Sequence, residues 1–73
     1  MDMRTLVGRN VRRARERQAM TQERLAELAG FSQQYISEVE RGRRNPTIVT
    51  IYLLAQQLGV SHVELVTPDD GEN

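Results

Sequence analysis

From Phe31 to Pro46 the chain reads Phe-Ser-Gln-Gln-Tyr-Ile-Ser-Glu-Val-Glu-Arg-Gly-Arg-Arg-Asn-Pro, a set of hydrogen-bonding side chains rather than bond-breaking ones. A glutamine amide can bond bidentately to adenine N6 and N7, and a glutamate accepts from cytosine N4. A serine serves several base edges, and an arginine suits guanine O6 and N7 or a phosphate. If the stretch is helical with Ile36, Val39 and Ser32 turned inward, the opposite side presents Gln34, Ser37, Glu38 and Arg41, and Gln33 projects from the N-terminal end. Tyr35 falls on the flank, placed for a thymine methyl or a phosphate. The plainer reading is a solvated polar face on a surface helix. Nothing else in the chain supplies a nucleophile with its base, a carboxylate dyad or a phosphate-binding glycine loop. With no cysteine and one histidine, His62, no zinc set can form, so neither an enzyme nor a cofactor is expected.

Charge is distributed unevenly over the 73 residues. All ten basic residues are arginines and lie in residues 1–44, where ten arginines against six acids leave +4; residues 45–73 hold only four acids, giving −4. Such asymmetry fits a basic surface for a polyanion with an acidic end turned away from it, the alternative being charges scattered over solvated faces. A chain of this length makes one domain with a small core, and without disulfides its stability must come from helix packing, helped by self-association. No apolar run approaches the ~20 residues of a membrane span, and the N-terminus lacks the apolar segment of a signal peptide. A cytoplasmic protein that avoids the membrane is expected.

The elements that would position these side chains are all helical. Met3, Leu6, Val7, Val11 and Ala14 recur at helical spacing and define the first helix. Thr21 then stands as an N-cap for a second helix over about 21 to 29, with Leu25, Leu28 and Ala29 inward and Gly30 ending it. Ser32 caps a third, over about 32 to 41, which Gly42 ends. Thr47, after Pro46, caps a fourth with Ile48, Ile51, Leu54, Ala55 and Leu58 inward. Ser61-His62-Val63-Glu64 has the form of a capping box and starts a short fifth helix. No strand-like alternation occurs. The fold class is all-α, five short helices in one compact domain over 1–66, followed by an acidic tail, 67–73, expected to be disordered.

Helices two and three, joined through Gly30, have the spacing of a helix-turn-helix over about 21 to 41, with small Ala26 where the pair would cross. Thr-Gln-Glu-Arg-Leu-Ala, then Gly-Phe-Ser-Gln-Gln-Tyr-Ile-Ser-Glu-Val-Glu-Arg-Gly, then Asn-Pro-Thr and Leu-Gly-Val-Ser resemble the Cro/repressor (XRE) family of phage and bacterial regulators, the lambda-repressor-like domains, from about residue 6 to 66. The resemblance implies a five-helix domain that binds double-stranded operator DNA, usually as a two-fold dimer.

Other assignments follow from the residues and this resemblance together. Gln22, in the first turn of helix two, can present its side chain and nearby N–H groups to a phosphate, as family members do with a glutamine at the matching place. Ser32, Tyr35, Arg43 and Arg44 complete the expected backbone contacts; the two loop arginines can also reach an adjacent minor groove, the plainer reading being ordinary loop arginines. Relatives pair an arginine and a glutamate at the places of Arg15 and Glu40 in a partly buried bridge; contact of Arg15 with DNA is the alternative. Helix four carries more apolar residues than one face can bury, and relatives place polar residues at Val49 and Leu53. Val49, Tyr52, Leu53, Val60, Val63 and Val66 are the expected homodimer surface, unless Tyr52 and Leu53 pack beneath the tail. The expected function is a DNA-binding transcriptional regulator of the restriction-modification controller or phage-repressor kind. The competing reading is an antitoxin or adaptor that docks a toxin or RNA polymerase.

Overall fold

The computed structural model describes residues 2–68. Five helices follow in order, α1 Met3–Arg17, α2 Gln22–Ala29, α3 Gln33–Glu40, α4 Ile48–Leu58 and α5 His62–Leu65, with no strand among the described residues. Each begins at a side-chain cap. The hydroxyls of Thr21, Ser32 and Thr47 accept from the N–H groups of Arg24, Tyr35 and Thr50 at 3.0, 3.0 and 3.1 Å. Such bonds satisfy helix donors that have no partner within the helix, and each is worth about 1 kcal/mol. The glycines on either side of α3, Gly30 and Gly42, adopt φ of 83° and 74°, a region that costs other residues a steric clash. Ala19, at φ 53°, turns the chain between α1 and α2 without a glycine. Its expected cost of about 1 kcal/mol is offset locally: Met20 N–H donates to Arg15 O at 3.1 Å, and the Arg15 guanidinium returns a bond to Met20 O at 2.7 Å.

The core joins all five helices around Val11, Leu25, Ile36, Leu54, Leu58 and Leu65, each with no exposed surface. Three residues expected inside are outside: Met3, Leu28 and Ile48 are 55, 38 and 77% exposed. Met3 and Ile48 are the first residues of their helices; Ile48 lines a shallow surface depression with Val49, Tyr52 and His62, and Met3 lines one with Pro46 and Val66. On α2 the buried arc runs through Leu25, Ala29 and Ala26, and Leu28 lies roughly 100° from its centre. Ser32 is likewise exposed rather than inward, because its hydroxyl is turned to the start of α3.

Attachment of α5 depends on Asn10, a buried polar side chain of α1. Its amide donates to Leu65 O at 3.0 Å and Thr67 O at 3.1 Å, with Glu64 O at 3.4 Å, answering carbonyls at the end of a one-turn helix. The expected capping box does not close. Ser61 Oγ accepts from Val63 N–H, while the Glu64 carboxylate accepts from Arg17 of α1 at 3.2 Å, where a cation outcompetes the backbone. Thr67, assigned to the tail, is tied to the domain through Asn10 and through its own hydroxyl on Val63 O at 2.6 Å. The rest of that assignment, residues 69–73, lies outside the described residues. No helix among the described residues is long and apolar enough to cross a membrane.

Candidate nucleic-acid interface

Ala26 of α2 is buried, 3% exposed, and the turn into α3 closes through the Gly30 and Phe31 N–H groups, both donating to Ala26 O at 2.9 Å. On the other side, α1 comes so close that a Cβ on Gly8 would stand 2.2 Å from Val39 O. Ile36 and Val39 are thereby sealed inside at 0 and 1% exposure, and the opposite side of α3 is left to solvent. Gln33, Gln34 and Arg41 are exposed there; Ser37, Glu38 and Tyr35 are partly exposed. Arg43 and Arg44 are exposed in the following loop.

A chain of hydrogen bonds runs from the interior to this surface. The Arg15 guanidinium forks onto Glu40, Nε to Oε2 at 2.6 Å and Nη2 to Oε1 at 3.0 Å, with the Glu40 side chain only 3% exposed. Bonding to Glu40 raises the Arg15 pKa above its ordinary value, so the cation persists at any biological pH. Gln22 Nε2 donates to the same Glu40 Oε1 at 3.0 Å, and Gln33 Nε2 donates to Gln22 Oε1 at 3.1 Å. One half-buried amide, Gln22, and one exposed amide, Gln33, are thus oriented by a buried ion pair, which fixes the direction in which each presents its remaining donors and acceptors.

Downstream on α3 the partners are closer to solvent. Arg41 Nη2 donates to Ser37 Oγ at 2.9 Å, one turn back. Arg44 folds out of the loop so that its Nε donates to Glu38 Oε1 at 2.7 Å while its guanidinium carbon lies 5.4 Å from the Tyr35 ring centroid. Tyr35 is stacked on Phe31, centroids 5.0 Å apart. The bond from Arg44, aided by Gln34 and Arg41, holds the Glu38 carboxyl below the usual carboxylate range. Wheel geometry assigns Glu38 to a base edge, and the loop position of Arg44 assigns it to the DNA backbone; without DNA they hold each other. The sequence reading also missed Phe31 as the platform for Tyr35, and Gly8. The signal for Gly8 was a glycine inside an amphipathic helix, which generally marks close backbone approach.

A second surface lies on α4 and α5. Val49, Tyr52, Leu53 and Val63 are 62, 48, 37 and 55% exposed, and Ile48 joins them, while Val60 and Val66 are partly buried against the core.

Two short helices joined by a tight turn, the second with a polar side laid open, define a helix-turn-helix DNA-binding domain. The chain belongs to the helix-turn-helix family HTH_3, whose pattern matches residues 11–65. It is 64% identical over 70 residues to y4dJ, an uncharacterized HTH-type transcriptional regulator of Sinorhizobium fredii, covering 96% of this chain and 91% of that one. Among solved structures it is similar to the hypothetical transcription factor NHTF from Neisseria, with TM-score 0.91 and 34% identity over 96% of this chain and 80% of that one. It is also similar to the restriction-modification controller protein C.AhdI from Aeromonas hydrophila, with TM-score 0.82 and 37% identity over 85% of this chain and 90% of that one.

Proposed function

We propose that two copies of this chain bind a palindromic operator, each laying α3 in the major groove, and that the protein regulates transcription as a small autoregulator of the restriction-modification controller or phage-repressor kind. The observation that supports this reading best is the open side of α3. Gln33, Gln34, Ser37, Glu38 and Arg41 are base-reading types gathered on one exposed strip, and Gln22 is bonded beside them at the start of α2. Phosphate contacts from Gln22, Ser32, Tyr35, Arg43 and Arg44 fix the register of that strip on the duplex. The apolar surface of α4 and α5, with Ile48 added to Val49, Tyr52, Leu53 and Val63, serves as the two-fold contact. Similarity to a restriction-modification controller supports the autoregulatory role.

Selection of bound fragments from a random DNA pool tests the reading. Enriched sequences should contain inverted half-sites whose centres lie about 34–36 Å apart along the helix axis. With about three to five phosphates contacted per protomer, the logarithm of affinity should fall against the logarithm of salt by roughly 0.9 per phosphate. Enrichment of no sequence, or binding unaffected by salt, counts against it.

A further inference from the structure

We propose that Glu38 is an internal stand-in for DNA phosphate: it holds Arg44 until α3 meets a base pair that offers the carboxylate a hydrogen-bond donor, and so sets specificity by suppressing binding to wrong sequences. The inference rests on the operator-binding reading above. Its basis is the closed arrangement of three groups on the face that must meet a polyanion. Arg44 has its Nε on Glu38 at 2.7 Å and its guanidinium over the Tyr35 ring, and Tyr35 is itself braced by Phe31. The arginine is therefore stacked and neutralised in place rather than extended into solvent, although it remains half-exposed.

This arrangement separates two kinds of DNA. On a scrambled duplex the pair presents no net charge, so Arg44 displaces no counterion and adds nothing to affinity. On a duplex with a cytosine amino group beneath α3, Glu38 can accept from the base and release the guanidinium to a nearby phosphate. One charge-assisted bond is given up and two are formed, but only at the right base pair. An arginine already extended into solvent would instead strengthen binding to every sequence alike. The lowered carboxyl pKa agrees with this arrangement, since Glu38 stays ionised and bonded to Arg44 at neutral pH.

The test compares a duplex that the wild-type protein selects from a random pool with a scrambled duplex of equal length and composition, over a range of salt. Glu38→Gln keeps the side-chain shape and should bind the scrambled duplex more tightly, with a salt slope steeper by about 0.9, one more phosphate. The ratio of selected to scrambled affinity should drop roughly tenfold. In an Arg44→Gln background the same change should leave the scrambled slope where it was, and Arg44→Gln alone should cost more on the selected duplex. If Glu38→Gln has the same effect with and without Arg44, it acts only by removing a negative charge, and the inference is overturned. The unaltered protein gives a second reading, free of any folding defect. The Arg44 Nε–H resonance should shift on adding the selected duplex and stay in place with the scrambled one; a shift with both overturns the proposal. A wild-type protein that enriches no sequence at all removes instead the operator reading beneath it.

Discussion

Arg15 and Glu40 carry the largest consequence of any single pair, because both charges are largely withdrawn from water and the carboxylate accepts three N–H groups. Removing either partner strands the other, at a cost of about 3–5 kcal/mol, whereas replacing both by methionine restores an apolar match. Urea unfolding should show Arg15→Met and Glu40→Met each losing more stability than the double variant; additive losses would mean the two do not act as a pair. Glu38 differs because it lies near solvent and its folded-state pKa is depressed. Its pairing therefore contributes fully above the ordinary value of 4.5 and is lost as pH falls through the lower folded value. The melting temperature of Glu38→Gln should sit slightly below wild type near neutral pH, and the gap should close on acidification; a constant gap would assign the effect elsewhere. Residue identity made these groups legible only in part. Helical spacing put Glu38 on the open side, but its bond to Arg44 depends on the loop path after Gly42, which no periodicity encodes.

At the scale of elements, caps and stops were readable because their chemistry is local. Thr21, Ser32 and Thr47 each bond to an N–H three residues on, whatever the rest of the fold does. Contacts between elements were not. Asn10 and Leu65 become important only once α5 folds back on α1, across more than fifty residues of sequence. Ile48 lies on the border of the apolar arc of α4, roughly 70° from the centre of Ile51, Leu54, Ala55 and Leu58, and it falls on the exposed side with Val49 and Tyr52. Gly8 gives the clearest test of such a contact. Gly8→Ala gains about 1 kcal/mol of helix propensity, but its methyl would stand 2.2 Å from Val39 O and 2.9 Å from Glu40 O, both backbone atoms with little freedom to move. Overpacking of this kind costs about 3 kcal/mol, so the clash should win. Thermal unfolding should show Gly8→Ala less stable than wild type, with operator affinity reduced in the folded fraction because α3 is pushed from α1. A stabilised variant would mean the two helices pack less closely.

The whole molecule separates its two surfaces by element, with the polar strip on α3 and the apolar patch on α4 and α5, so each can be disturbed without touching the other. Val49 is the best probe of the patch. At 62% exposure it makes little contribution to its own core, and a surface change there should alter monomer stability by no more than about 0.5 kcal/mol. Across a two-fold axis every substitution occurs twice, so Val49→Glu sets two carboxylates into one apolar contact and leaves them without partners. If the proposed two-fold contact forms, sedimentation should find a folded monomer for Val49→Glu and a dimer for the wild type. Leu53→Glu should do the same, with some loss of stability because Leu53 is only 37% exposed. Uncoupling the two recognition helices should cost affinity for a full operator by a factor on the order of 10²–10⁴, while affinity for an isolated half-site stays unchanged. That contrast separates a lost partner from a damaged α3, which would weaken both. A Val49→Glu protein that still sediments as a dimer would move the two-fold contact to another face, and with it the half-site spacing expected from α4 and α5.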